Sequence, residues 1–272
     1  MTIKLVTNQK IAETSSKGNQ EKWFDEKSNR WYKLDLFGYE ALAETVVSTL
    51  LKKCNVKEKG FQIAEYQMEK LEVRKHRRTG CSSENFLRDG EELITIAHLL
   101  KKSIGTHYLK ELEKQKNLQR KITYIVEHVE RLTGLDRFGE YLTLLFEVDM
   151  LFLNDDRHLD NLAVIRKEDG FRYCPLFDFG AGLLSNTREY SLDIMPSGLI
   201  RNIVARPFNC GFTRQVHAAQ ALYGKQLEWN FAEKDIAAVC AEFERYYPVV
   251  YAAEFRERVE TCIKIQQKKL MK

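Results

Sequence analysis

The sequence predicts an α+β chain in two lobes, a small strand-rich one over residues 1–88 and a larger helical one over residues 89–272. Three observations predict it. Short alternating runs separated by polar turns fill the first third, whereas after about Asp89 apolar residues recur at helical spacing with little interruption. All four prolines lie late, at Pro175, Pro196, Pro207 and Pro248, so none breaks the earlier helical pattern. A chain of 272 residues also exceeds the size at which one hydrophobic core stays undivided, which favours two bodies around a cleft.

In chain order, strands are expected at residues 3–6, 22–25, 30–34 and 61–67. Between the third and fourth the pattern predicts a helix over 39–53. Gly38 precedes it, Leu42, Val46 and Leu50 repeat every fourth position, and Lys52 and Lys53 stand at the end where the helix dipole favours cations. The basic run 74–78 reads as a solvated loop and residues 83–90 as a hinge, with Ser83 or Asp89 available to cap the next helix. Helices follow over 91–102, 107–116, 120–132, 138–153, 213–223, 233–246 and 251–269. They are interrupted by a polar loop and by strand-like runs at 162–165 and 171–177. In the last helix Arg256, Arg258, Lys264, Lys268 and Lys269 read as a wet face.

Charge narrows the function classes. Forty-three basic residues nearly balance 39 acidic ones, leaving a net charge of +4 that gives no electrostatic case for nucleic acid. The run from Arg74 to Arg78 is compact but lacks the aromatic interleaving that stacks bases. The six cysteines form no C-x-x-C pair, so neither a zinc site nor a disulfide framework is expected. With no signal-peptide pattern and no apolar run of membrane-spanning length, the expectation is a cytoplasmic chain without a membrane partner.

The chemistry concentrates in Asn154-Asp155-Asp156-Arg157-His158-Leu159-Asp160-Asn161 and, shortly after, Asp178-Phe179-Gly180. Phosphoryl transfer needs a carboxylate to orient the attacking hydroxyl, oxygen ligands for Mg²⁺ and a cation on the phosphates. Asp156 supplies the first, Asn161 and Asp178 the second. Lys33, central in a strand, supplies the third, and Glu44 shares a helix face with Val47 and Leu51, where a carboxylate needs a partner. Glu40 is the alternative partner. Ser16, in the small polar stretch Thr14-Ser15-Ser16-Lys17-Gly18-Asn19-Gln20, suits a phosphate-covering loop as well as a plain hairpin turn. His158 suits a catalytic role or a structural one.

These motifs resemble the HipA-like bacterial serine/threonine kinases, in the branch shared with phosphoinositide-3-kinase-like enzymes. There a D-x-H-x-x-N loop follows a long apolar helix and precedes a hairpin that ends in a metal-binding Asp. Asp156-Arg157-His158 inverts the His-Arg-Asp order of eukaryotic protein kinases while keeping the five-residue step to Asn161. The resemblance implies a two-lobed protein kinase-like fold, ATP and Mg²⁺ as cofactors, a nucleotide site in which Lys33 contacts the phosphates and is held by Glu44, Asn161 and Asp178 on the metal, and Asp156 with His158 at the transfer step. It also implies adenine contacts near Glu84 and Phe86, a protein substrate, and room for an antitoxin-like partner. A lipid or small-molecule kinase, or a nucleic-acid-binding pseudokinase regulator, are the alternatives.

Overall fold

Residues 22–34 set the frame, because two short runs joined by the Asx-rich turn Asp25-Glu26-Lys27-Ser28-Asn29 fold back on each other. The turn is closed by Asp25, which accepts from the Ser28 hydroxyl at 2.6 Å and the Lys27 N–H at 3.2 Å. This computed structural model describes the backbone of residues 3–5 and the whole of residues 21–271; Ser16 and its polar stretch lie outside the described residues.

Strands β1 (Ile3–Leu5), β2 (Lys22–Asp25), β3 (Arg30–Leu34), β4 (Tyr66–Val73) and β5 (His76–Glu84) form one sheet in the order β1-β4-β5-β3-β2. The β1–β4 pair is parallel and the others antiparallel. Helix α1 (Glu40–Leu51) lies between this sheet and a helix of the other lobe. Every α1 residue except Thr49 is buried.

The larger lobe begins with β6 (Glu92–Thr95), α2 (Ile96–Ile104), α3 (Tyr108–Glu113), α4 (Leu118–Thr133) and α5 (Phe138–Phe152). Then come β7 (Ala163–Lys167), β8 (Gly170–Tyr173), the single turn α6 (Pro196–Leu199), α7 (Phe212–Tyr223), α8 (Glu233–Phe243) and α9 (Val249–Leu270). Strands β6, β7 and β8 make a small antiparallel sheet beneath the cleft. In α5 every residue but Glu140 is buried, so this helix is the pillar of the lobe, packed by α4, α7 and α9. Leu153 ends it in the left-handed region, at φ 56°, and so delivers Asn154 into the polar loop.

Three expectations need correction. Residues 61–64 do not join the five-stranded sheet. They run extended beside Leu176, which exchanges bonds with Gln62 O (2.8 Å) and Ala64 N (2.9 Å), and β4 proper starts at Tyr66. The basic run is no loose loop: Arg74 and Lys75 are the two left-handed residues of a tight β4–β5 hairpin, at φ 50° and 66°, and His76 to Arg78 already belong to β5. Residues 92–95 are strand rather than helix, because they pair with β7, and the cap of the following helix is Thr95, whose hydroxyl accepts from His98 N at 3.1 Å.

Close packing around β3 gives a direct test. A Cβ added at Gly80 would lie 2.3 Å from the Lys33 carbonyl oxygen and 2.8 Å from a Leu71 methyl. Gly80→Ala should therefore destabilise the chain by about 1–3 kcal/mol, read from denaturant unfolding; an unchanged midpoint would show that β3 can yield.

Candidate active site

Strand β3 points Lys33 into the cleft. Its ammonium bonds the Glu44 carboxylate of α1, lies 2.6 Å from Asp178 Oδ1, and sits 5.1 Å from the Tyr66 ring centroid. Glu44 is fully buried, and its second oxygen accepts the Phe179 N–H at 2.8 Å. One carboxylate thus joins the sheet, the helix and the turn after β8. Glu40 does not compete for Lys33, because its carboxylate accepts from the N–H groups of Leu36, Phe37 and Gly38.

Asp178 itself sits in the left-handed region, at φ 62°, with its N–H 3.3 Å from the Tyr66 hydroxyl. Burial works to raise its pKa, but Lys22 and Lys33 outweigh that and hold the carboxyl well below the ordinary range. Lys22 pairs with Lys33 across β2 and β3, and its ammonium lies 3.9 Å from Asp178 Oδ1. The charge of Asp178 favours the ammonium form of Lys22, yet burial and the neighbouring Lys33 together lower its pKa.

The polar loop is held from beneath. Asp149, on α5, and Arg157 are each about 1% exposed and pair at 3.0 Å. The guanidinium also donates to the carbonyls of Asn161 (3.1 Å) and Phe177 (2.8 Å), so one side chain fixes both the loop and the approach to Asp178. Asn154 adds bonds to Asp149 Oδ1 (2.8 Å) and to the Asp178 carbonyl (3.3 Å). Asn161 folds back, donating to the Asp156 carbonyl at 2.9 Å.

Asp156 is half exposed and borders a cleft of about 560 Å³ shared with Phe37, Asp155, Asn186, Tyr190 and Arg206. Burial raises the pKa of Asp156, opposed by His158, Arg206 and Arg157. Asp155 is pushed up to about 6 by burial, although it accepts from the Tyr190 hydroxyl. His158 stands 3.8 Å from Asp156 Oδ2 and 3.9 Å from Asp160 Oδ2, beyond hydrogen-bond length, and its buried Nδ1 has no partner among the described residues.

The structure gathers Lys33, Glu44 and Asp178 in one cluster and Asp156, His158 and Asn161 in the adjoining loop. Glu84 and Phe86 lie at the junction of the lobes. Glu84 is exposed at the end of β5, its carboxylate 3.4 Å from Arg30, while the Phe86 ring packs 5.7 Å from that of Phe177. Sequence reasoning missed Lys22, Tyr66 and the Asp149–Arg157 pair. An acid inside the apolar run of α5 was the available sign of the last, since a buried carboxylate must find a cation. Arg258, read as part of a wet face, is buried instead and donates to the carbonyls of Tyr190 (2.8 Å) and Ser191 (3.1 Å).

A strand-rich lobe, a helical lobe and a cleft between them constitute a two-lobed protein kinase-like fold. The chain is similar to the Helicobacter pylori proinflammatory kinase CtkA, with a TM-score of 0.64 and 14% identity over 93% of this chain and 89% of that one. A looser likeness, TM-score 0.44 and 12% identity over 91% of this chain and 63% of the other, links it to the Shewanella oneidensis HipA structure with HipB and operator DNA. No protein-family model matches the chain, and no curated protein sequence matches it significantly.

Proposed function

We propose that the chain is an ATP- and Mg²⁺-dependent kinase that phosphorylates serine or threonine in a protein. The observation that carries this reading is the Lys33 ammonium held between Glu44 of α1 and Asp178 of the post-β8 turn, the kind of fixed cation that phosphoryl transfer uses on nucleotide phosphates. Lys22 adds a second ammonium beside it.

The residues present fit the metal. Asp178 and Asn161 offer hard oxygen donors, and among the described residues no cluster of three or more His, Cys, Asp or Glu side chains forms a metal cage. Mg²⁺ is commonly held by one or two carboxylates together with substrate phosphates, and Asp178 would supply the carboxylate. When bound, Mg²⁺ would neutralise charge on the phosphates and align them. Lys33 grips the phosphates, Asp156 accepts the proton of the attacking hydroxyl at its carboxylate, and Arg157 keeps Asp156 and Asn161 in register with Asp178. The apolar surface of Phe86 and Phe177, continuous with Ala163, Ile165 and Cys174, suits the adenine. No helix among the described residues is long and apolar enough to cross a membrane.

The test is transfer from γ-labelled ATP with Mg²⁺ to proteins of a cell lysate and, in parallel, to phosphoinositide vesicles. Labelled phosphoserine or phosphothreonine is expected, and it should vanish in Lys33→Met. Label confined to lipid would move the acceptor class, and no label in either would defeat the kinase reading.

A further inference from the structure

The first-turn N–H groups of a helix have no acceptor within the helix. In α1 the N-cap residue Tyr39 gives no side-chain cap, because its hydroxyl is turned away to the Leu183 carbonyl at 2.7 Å. Glu40 is occupied by the amides before it. One of these N–H groups finds an acceptor ahead of the helix: Ala41 N donates to Asp35 Oδ1 at 2.6 Å. The Tyr247 hydroxyl donates to Asp35 Oδ2 at 2.8 Å, which holds that acceptor in place.

Tyr247 arrives from the turn between α8 and α9, 212 residues along the chain from Asp35. The turn is laid across the five-stranded sheet by Lys70 and Thr79, both of which donate to the Tyr246 carbonyl. Arg78 donates to the Asp35 carbonyl at 2.7 Å. Asp35 follows Lys33 by two residues, and α1 carries Glu44. The two side chains that meet at the centre of the candidate site therefore stand on elements joined, at their other end, through Tyr247.

We propose that Asp35 caps α1 and that the Tyr247 hydroxyl, arriving from the far end of the chain, holds Asp35 in that position, so that α1, and with it Glu44, is set against Lys33 and Tyr247 is a positioning residue for phosphoryl transfer. The catalytic half of this statement rests on the kinase reading above; the cap does not. The Tyr247 ring also packs edge-on against Phe255 at 5.2 Å, and Phe255 against Tyr39 at 4.6 Å. Loss of the whole side chain would confuse packing with capping. Tyr247→Phe removes only the hydroxyl.

The test compares the full chain with Tyr247→Phe, Asp35→Ala, Asp35→Asn and the Asp35→Ala/Tyr247→Phe pair. Readouts are hydrogen exchange of the α1 amides, thermal midpoint, and kcat and KM for ATP. Tyr247→Phe should speed exchange at Ala41 by roughly fivefold, the loss of one net hydrogen bond, and lower kcat at temperatures where the variant is fully folded. Asp35→Asn, which keeps an acceptor for Ala41, should retain more of both than Asp35→Ala. The double variant should fall short of the product of the two single effects. Thr79→Val, which loosens the turn without touching the cap, should shift the same readouts less, and it serves if Tyr247→Phe fails to fold. A lowered midpoint with unchanged α1 exchange and unchanged kcat would overturn the proposal. Should the wild type transfer no phosphate, the kinase reading fails, while the exchange arm still decides the cap.

Discussion

Asp178→Ala is expected to abolish phosphoryl transfer, with a loss of roughly 10³-fold or more, the scale seen when a preorganised electrostatic group is removed. It should also remove Mg²⁺-dependent nucleotide binding, measured by calorimetry with and without the metal. The physical reason lies in the charge arrangement. Lys22 and Lys33 converge on this carboxylate, and its removal takes away the charge that the two neighbouring ammonium groups share. The pH dependence gives an independent check. A carboxyl held below its unfolded pKa contributes stability above that unfolded value, and the contribution is lost as pH falls through the folded one. Wild-type stability should therefore decline below about pH 4 more steeply than that of Asp178→Ala. Near-normal turnover in the variant would remove Asp178 from the centre of the mechanism.

Arg157→Met should have the largest effect on stability, about 3–5 kcal/mol, because it leaves Asp149 as an uncompensated buried charge. It also strips donors from the carbonyls of Asn161 and Phe177, so any folded remainder should lose activity with its loop unfixed. Adding Asp149→Leu should restore much of the stability, since replacing both members of a buried pair by apolar groups is commonly tolerated. Activity should stay low, because the loop still lacks its clamp. Denaturant unfolding of the two variants checks the first claim. A cost under about 1 kcal/mol for Arg157→Met would mean that water reaches Asp149.

The parts that sequence made legible are those in which a local pattern states its own environment. Helices α4, α5 and α7 announce themselves by spacing, and the Asp156-to-Asn161 step and the Asp178 turn by order along the chain. The β4–β5 hairpin stayed hidden because its turn uses Arg74 and Lys75 where Gly or Asn would be the usual signal. Lys22 stayed hidden because its approach to Asp178 depends on a cross-strand register, Lys22 opposite Lys33, that no short window contains. Arg258 was misread because a helical wheel assigns a basic residue to solvent, whereas the carbonyls of residues 190, 191 and 194 form a polar socket for it. Asp35 and Tyr247 are the extreme case: neither belongs to a motif, and their meeting is decided by the closure of the whole chain.

That long-range closure also fixes an order of assembly. A ribosome that has released the five-stranded sheet and α1 has not yet made Asp178 and Phe179, which complete the surroundings of Lys33 and Glu44, nor the Tyr247 hydroxyl that holds the capping Asp35. Translation adds roughly 5–20 residues per second, so the lobe waits about ten seconds or more for position 247 to appear. During that interval Lys33 and Glu44 stand on elements whose bridge through Asp35 and Tyr247 is still unmade. The contacts that set α1 against β3 are thus complete only after position 247 has been made.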